Sequence, residues 1–149
     1  MPPGYRNLVT VAAFGVVLLG VACGQSGPTA PTDTTTTPTV AAPTATERFN
    51  GVLPVGGVRF YSFSVSVYGT VNITLLSVSE ARIPSTAMLG LAIGSPSGTG
   101  CTVGSAVTVA ADSTPQLTGA YIPGVYCARI YDVGNLSTPA TFDISIDHP

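Results

Sequence analysis

The chain has 149 residues, and its only strong bases are five arginines, set against seven carboxylates for a net charge of −2. Arginines this few and this scattered make no patch able to displace counterions from a phosphate backbone, which excludes nucleic-acid binding.

In chain order, Arg6 is the only charge before an apolar run from Leu8 to Ala22. That run is shorter than the roughly 20 residues a spanning helix needs, and small residues close it ahead of Cys23. A charged start, an apolar middle and a small-residue exit are the parts of an export signal over residues 1–22. The alternatives are a buried helix or an uncleaved anchor, but no amphipathic face is present to pack on a domain.

Leu19-Gly20-Val21-Ala22-Cys23 resembles the lipobox of bacterial lipoproteins, with Gly20 standing where Leu is commonest. The resemblance implies cleavage before Cys23, a diacylglyceryl group on its sulfur and an acyl chain, such as palmitate, on the new amino terminus. Two acyl signals are what stable anchoring requires, because one chain binds a bilayer only marginally. The alternative for Cys23 is an ordinary thiol. Gly24 rather than Asp after the Cys implies, by the same resemblance, passage to the outer membrane where the organism has one.

Residues 23–46 are rich in Thr and Pro, and Val40 is their one large apolar side chain. Such a stretch cannot bury enough surface to offset its ordering entropy, so a disordered linker is expected. Proline stiffens it into a spacer of about 3 Å per residue, and its hydroxyls are potential sugar acceptors.

Glu47 to Pro149 is long enough for one small domain with one core. Tyr61, Phe63, Val65 and Val67 alternate with Phe60, Ser62, Ser64 and Ser66. The same period of two recurs in Val71-Ile73-Leu75, Leu89-Leu91-Ile93, Tyr126-Ala128-Ile130 and Phe142-Ile144-Ile146. One apolar face at that period marks half-buried antiparallel strands. Weaker strands are expected over 48–53, 102–109 and 115–120. Turn signals fall at Pro54–Gly57, Tyr68-Gly69, Gly94–Gly100, Pro123-Gly124 and Gly134-Asn135. Seven or eight strands so spaced predict an all-β, jelly-roll-like antiparallel sandwich. Only Ser79–Met88 offers a helical turn, limited by Pro84.

With Cys23 lipidated, Cys101 and Cys127 remain, and an even pair in an exported protein predicts a disulfide. Cys127 sits between the inward Tyr126 and Ala128, so it is expected to face outward. Tyr61 and Tyr126 are expected in the core and Tyr68, Tyr121 and Tyr131 outside it, where an aromatic platform is an alternative to plain packing. Arg129 and Tyr131 share a strand face, and Arg–aromatic pairs mark interface anchors. They form the candidate interaction surface for an envelope protein or polysaccharide, with strand-surface packing as the alternative. Asp132-Val133-Gly134-Asn135 offers Asp132 and Asn135 as calcium ligands, with Asp112 joining if the loops converge; the alternative is an Asx turn.

Phe49-Asn50-Gly51-Val52-Leu53, Phe60-Tyr61-Ser62-Phe63, Gly69-Thr70-Val71-Asn72-Ile73-Thr74-Leu75, Gly124-Val125-Tyr126-Cys127-Ala128-Arg129-Ile130 and Pro139-Ala140-Thr141-Phe142-Asp143-Ile144 follow in an order that resembles the bacterial pre-peptidase C-terminal domain. That resemblance implies a non-catalytic sandwich attached to secreted proteins, some relatives binding calcium or extracellular polymers. Their calcium-holding acid cluster is not recognisable around Glu47. Catalysis is not expected. His148 is second from the end of the sequence and expected to be exposed and mobile, no Gly-x-Ser-x-Gly is present, and no carboxylate pair is framed by a cleft. The function expected is therefore a membrane-anchored, exported binding module for a protein or extracellular polymer; the alternatives are a structural envelope lipoprotein without a specific ligand and a calcium-stabilised carbohydrate-binding module.

Overall fold

The computed structural model describes residues 37–79 and 87–149; Cys23, the apolar run before it and the Ser79–Met88 segment apart from its ends lie outside them. Among the described residues there are eight strands and no helix: β1 (Ala45–Leu53), β2 (Val58–Val65), β3 (Gly69–Ser79), β4 (Leu89–Ser97), β5 (Gly100–Val109), β6 (Leu117–Tyr121), β7 (Gly124–Asp132) and β8 (Ala140–His148). They form two four-stranded antiparallel sheets, ordered β1-β8-β3-β6 and β2-β7-β4-β5. Strands 1 and 8, 2 and 7, 3 and 6, and 4 and 5 are each paired, so the chain is one long antiparallel ribbon rolled into a jelly roll.

The alternating apolar faces meet between the sheets. Val71, Ile73, Leu75, Ile144 and Ile146 from one sheet are fully buried against Leu89, Leu91, Ile93, Ala128 and Ile130 from the other. Bulges adjust two strands. One falls between Leu75 and Ser77, after which Val78 resumes the inward face; the other falls between Ile93 and Gly94. Gln116 serves the first bulge as substitute backbone. Its Oε1 accepts from Leu75 N at 2.7 Å, and its Nε2 donates to Ala110 O at 3.2 Å.

Four expectations change. The fold takes in residues earlier than Glu47: β1 begins at Ala45, Thr44 N donates to His148 O, and Ala41 bridges Gly69 in parallel. These contacts are made by backbone groups, which Thr/Ala/Pro composition does not reveal. The Gly94–Gly100 stretch is not a loop, since β4 pairs through Ser97 and turns only at Gly98, whose φ is 56°. Val67 lies past the end of β2 and is exposed.

The fourth concerns His148, which is 7% exposed rather than free. β8 lies between β1 and β3, so the inward series Phe142, Ile144, Ile146 continues to it. Its ring packs 5.5 Å from that of Phe63, with Nε2 3.0 Å from Glu47 Oε1. It closes one end of the core.

Candidate functional site

The outer face of the β2-β7-β4-β5 sheet is built around small residues on β4. Across the strands, Phe60, Arg129, Ala92 and Ala106 form one row, and Val58, Tyr131, Gly90 and Thr108 the next. A third row holds Ser62, Cys127, Gly94 and Val103. Gly90 and Ala92 leave room for the large side chains of β7 to lie flat. The Tyr131 ring occupies the space a Cβ on Gly90 would need, and the Arg129 guanidinium sits 5.0 Å from the Tyr131 ring centre.

Cys101 and Cys127 are disulfide-bonded, their Cα atoms 5.9 Å apart. Cys127 faces outward as expected but is fully buried. The bond ties the tip of the β4–β5 hairpin to β7, with β4 itself running between β7 and β5. The tip thereby becomes one wall of a groove of about 230 Å³ lined by Val58, Phe60, Thr99, Gly100, Cys101 and Arg129.

Arg129 is the chemically distinct group in that groove. Arg48 lies 3.8 Å from Asp143, and Arg59 donates to Val58 O. No carboxylate of the described residues lies within 4.0 Å of the Arg129 guanidinium, and its Nε is buried without a hydrogen-bond partner. A buried donor left unpaired is costly. A larger hollow of about 290 Å³ lies among Ile93, Gly94, Gly104, Ser105, Tyr121 and Tyr126. It holds no charge, and the Tyr126 hydroxyl already donates to Ile122 O. No protein-family model matches the chain, and no curated protein matches it.

The Asp132 loop is built as an Asx turn. Oδ1 accepts from Gly134 N, Asn135 N and Leu136 N at 2.8, 2.9 and 3.2 Å, and Oδ2 accepts from Gly56 N at 2.8 Å. Gly134 supplies the positive φ, 93°, that the bend needs. The Asn135 amide donates to Met88 O. Asp112 is engaged in its own turn, accepting from Ser113 N and Thr114 N. Among the described residues no three His, Cys, Asp or Glu side chains gather as a metal group.

Desolvation pushes the Asp132 carboxyl up, but the four backbone donors, Gly56 foremost, outweigh it and hold the group below its ordinary value of 3.8. The stabilisation this implies is complete above the unfolded value and is lost as pH falls through the lower native one. Asp132→Asn should therefore lower the melting temperature at pH 7, with the gap to wild type closing as pH falls through the lowered native value. A melting temperature at pH 7 that falls on adding a chelator would contradict this turn-only role.

The tyrosines divide differently from expectation. Tyr61 stacks on Phe49 with centroids 4.4 Å apart, at the margin of the core. Tyr121 is not an outer residue: it packs edge-on against Tyr126 at 5.1 Å and against the core. Its inward position follows from pairing opposite Gly69, itself buried, in the narrow five-residue β6. Tyr68 and Tyr131 are half-buried, and among the described residues neither stacks with another aromatic ring. Sequence reasoning identified Arg129 and Tyr131 but missed Phe60, Val58 and the hairpin tip. The run Gly90-x-Ala92-x-Gly94 was the available signal, because small residues at every other position leave room for neighbours.

Proposed function

We propose that this protein is a non-catalytic, exported envelope lipoprotein, held in the bilayer by acylated Cys23. It displays the sandwich as a binding module for an envelope protein or extracellular polymer. The observation that carries the binding role is the Arg129 guanidinium at an apolar groove, set on the Tyr131 ring with no carboxylate of the described residues within 4.0 Å. An arginine on an aromatic ring beside exposed aliphatic and aromatic side chains is the composition of an interface anchor. The groove, at about 230 Å³, is smaller than the ~300–1,000 Å³ of typical small-molecule sites and suits a side chain or short polymer segment. The anchor rests on the lipobox resemblance of residues 19–23, and the non-catalytic role is supported by the resemblance of the strand sequences to pre-peptidase C-terminal domains.

Cross-linking in cells followed by purification tests this reading. A specific partner should be enriched with wild type and with Arg48→Ala, on the opposite sheet, and fall by about tenfold or more with Arg129→Ala, as anchor residues do. Equal recovery with Arg129→Ala would reject the groove. No partner with any variant would leave a structural envelope protein. Cys23→Ser should leave the membrane fraction or keep its signal uncleaved; normal retention would reject lipidation.

A further inference from the structure

We propose that the end of the sandwich at which the chain enters seats reversibly on the lipid bilayer, with Ile122 at its tip. Three connections meet there, beside His148-Pro149: residues 37–44, residues 66–68 between β2 and β3, and Ile122-Pro123 between β6 and β7, with Thr44 N donating to His148 O and Ser66 N to Pro149 O. Ala41 N donates to Tyr68 O and Ala41 O accepts from Thr70 N, Gly69 pairs with Tyr121, and Val65 pairs with Gly124. These pairings bring Val40, Val67 and Ile122 to one end, with Val125 just beyond on β7. All four are exposed, Ile122 by 65% and Val125 by 58%. No residue of the three connections is Asp, Glu, Lys, Arg or His.

The opposite end also exposes Val55, Met88 and Val133. There, however, Asp132 holds a carboxylate that a bilayer would have to desolvate, whereas at the entry end the Glu47 carboxylate lies 3.0 Å from His148. The choice of a bilayer over a second copy comes from where the chain leads. Upstream of Thr37 it carries only the thirteen residues 24–36 before Cys23. Extended, these reach about 40 Å, so the apolar end stays within that distance of the anchor. Four aliphatic side chains are too few to hold a free protein on a membrane. A tether makes the contact intramolecular, and the weak surface then suffices. The inference rests on Cys23 as the lipid-bearing residue.

The sequence has no tryptophan, and Cys23 is the only cysteine outside the disulfide. The mature chain from Cys23 can therefore be coupled through that thiol to maleimide-headgroup lipid in phosphatidylcholine vesicles, with Ile122→Trp or Val55→Trp as sole emitter. Ile122→Trp should emit to the blue and lose about half its emission to lipids brominated in the acyl chains, as an interfacial ring does. Val55→Trp, equally accessible in the free protein, should keep its emission and be quenched by aqueous iodide. Vesicle-bound Ile122→Trp that bromolipid does not quench would overturn the seating, as would equal quenching of both variants. Because the coupling supplies the anchor chemically, either failure leaves acylation of Cys23 untouched. That is judged separately by the fractionation of Cys23→Ser.

Discussion

Replacing Cys101 and Cys127 together with alanine should lower the stability of the sandwich by about 3.5 kcal/mol, the chain-entropy value for a loop closed by residues this far apart. Twenty-six residues separate the two cysteines, and a loss of that size shifts the midpoint of a domain of roughly a hundred residues by about 15 °C. Alanine is the informative replacement because Cys127 is fully buried, and serine would add a hydroxyl in need of a partner. The fold should survive, since the buried Val, Leu and Ile side chains between the sheets do not touch the bond's outer face. The groove should not. Thr99, Gly100 and Cys101 form its wall, and the bond is what fixes their hairpin over β7. Melting curves with and without reductant provide the measurement. A change below about 1 kcal/mol would mean that the hairpin is held by its ladder alone, outside the usual range for a native bond.

The two-sheet architecture was legible because its cause is local. Leu89, Leu91 and Ile93, or Phe142, Ile144 and Ile146, need only know that one side of a strand is dry. The same rule carried two residues further would have placed His148 inside, but its position near the end of the sequence suggested freedom. What keeps it in is the backbone of a remote segment, with Thr44 N bound to its carbonyl and Ser66 N bound to Pro149 O. Long-range backbone pairing of this kind leaves no mark in side-chain periodicity.

The site was half legible for a related reason. Arg129 and Tyr131 are two apart on one strand, and period two puts them on one face. Phe60 comes beside Arg129 only through the β2–β7 register, and Thr99 only through the disulfide. Asp132 could be assigned to a turn or to a cation from its neighbours Gly134 and Asn135. Gly56 N, arriving from 76 residues away, takes up its second oxygen.

Two glycines in one bulge should respond in opposite ways to the same added methyl group. At Gly94, a Cβ would collide with the backbone carbonyl of Thr102, its oxygen and then its carbon, and lie 3.0 Å from Val103 Cα. No rotamer change relieves a clash with main chain, so β4 and β5 would have to separate where the hairpin starts to curl. Gly94→Ala should cost about 3 kcal/mol, the upper end for overpacking, and should widen the groove because Gly94 is paired directly with Cys127. Gly104 is the extra residue that β5 inserts opposite, and a Cβ there meets only Ile93 O, at 3.6 Å. Its φ is not among the positive ones. Gly104→Ala should therefore be neutral or stabilise by up to about 1 kcal/mol, because alanine has fewer unfolded conformations to lose. Urea midpoints of the two variants decide the matter. Equal losses at both positions would mean that the bulge is strained as a unit and that space at Gly94 is not what shapes the hairpin. The predicted asymmetry would place the origin of the groove in one missing methyl group on β4.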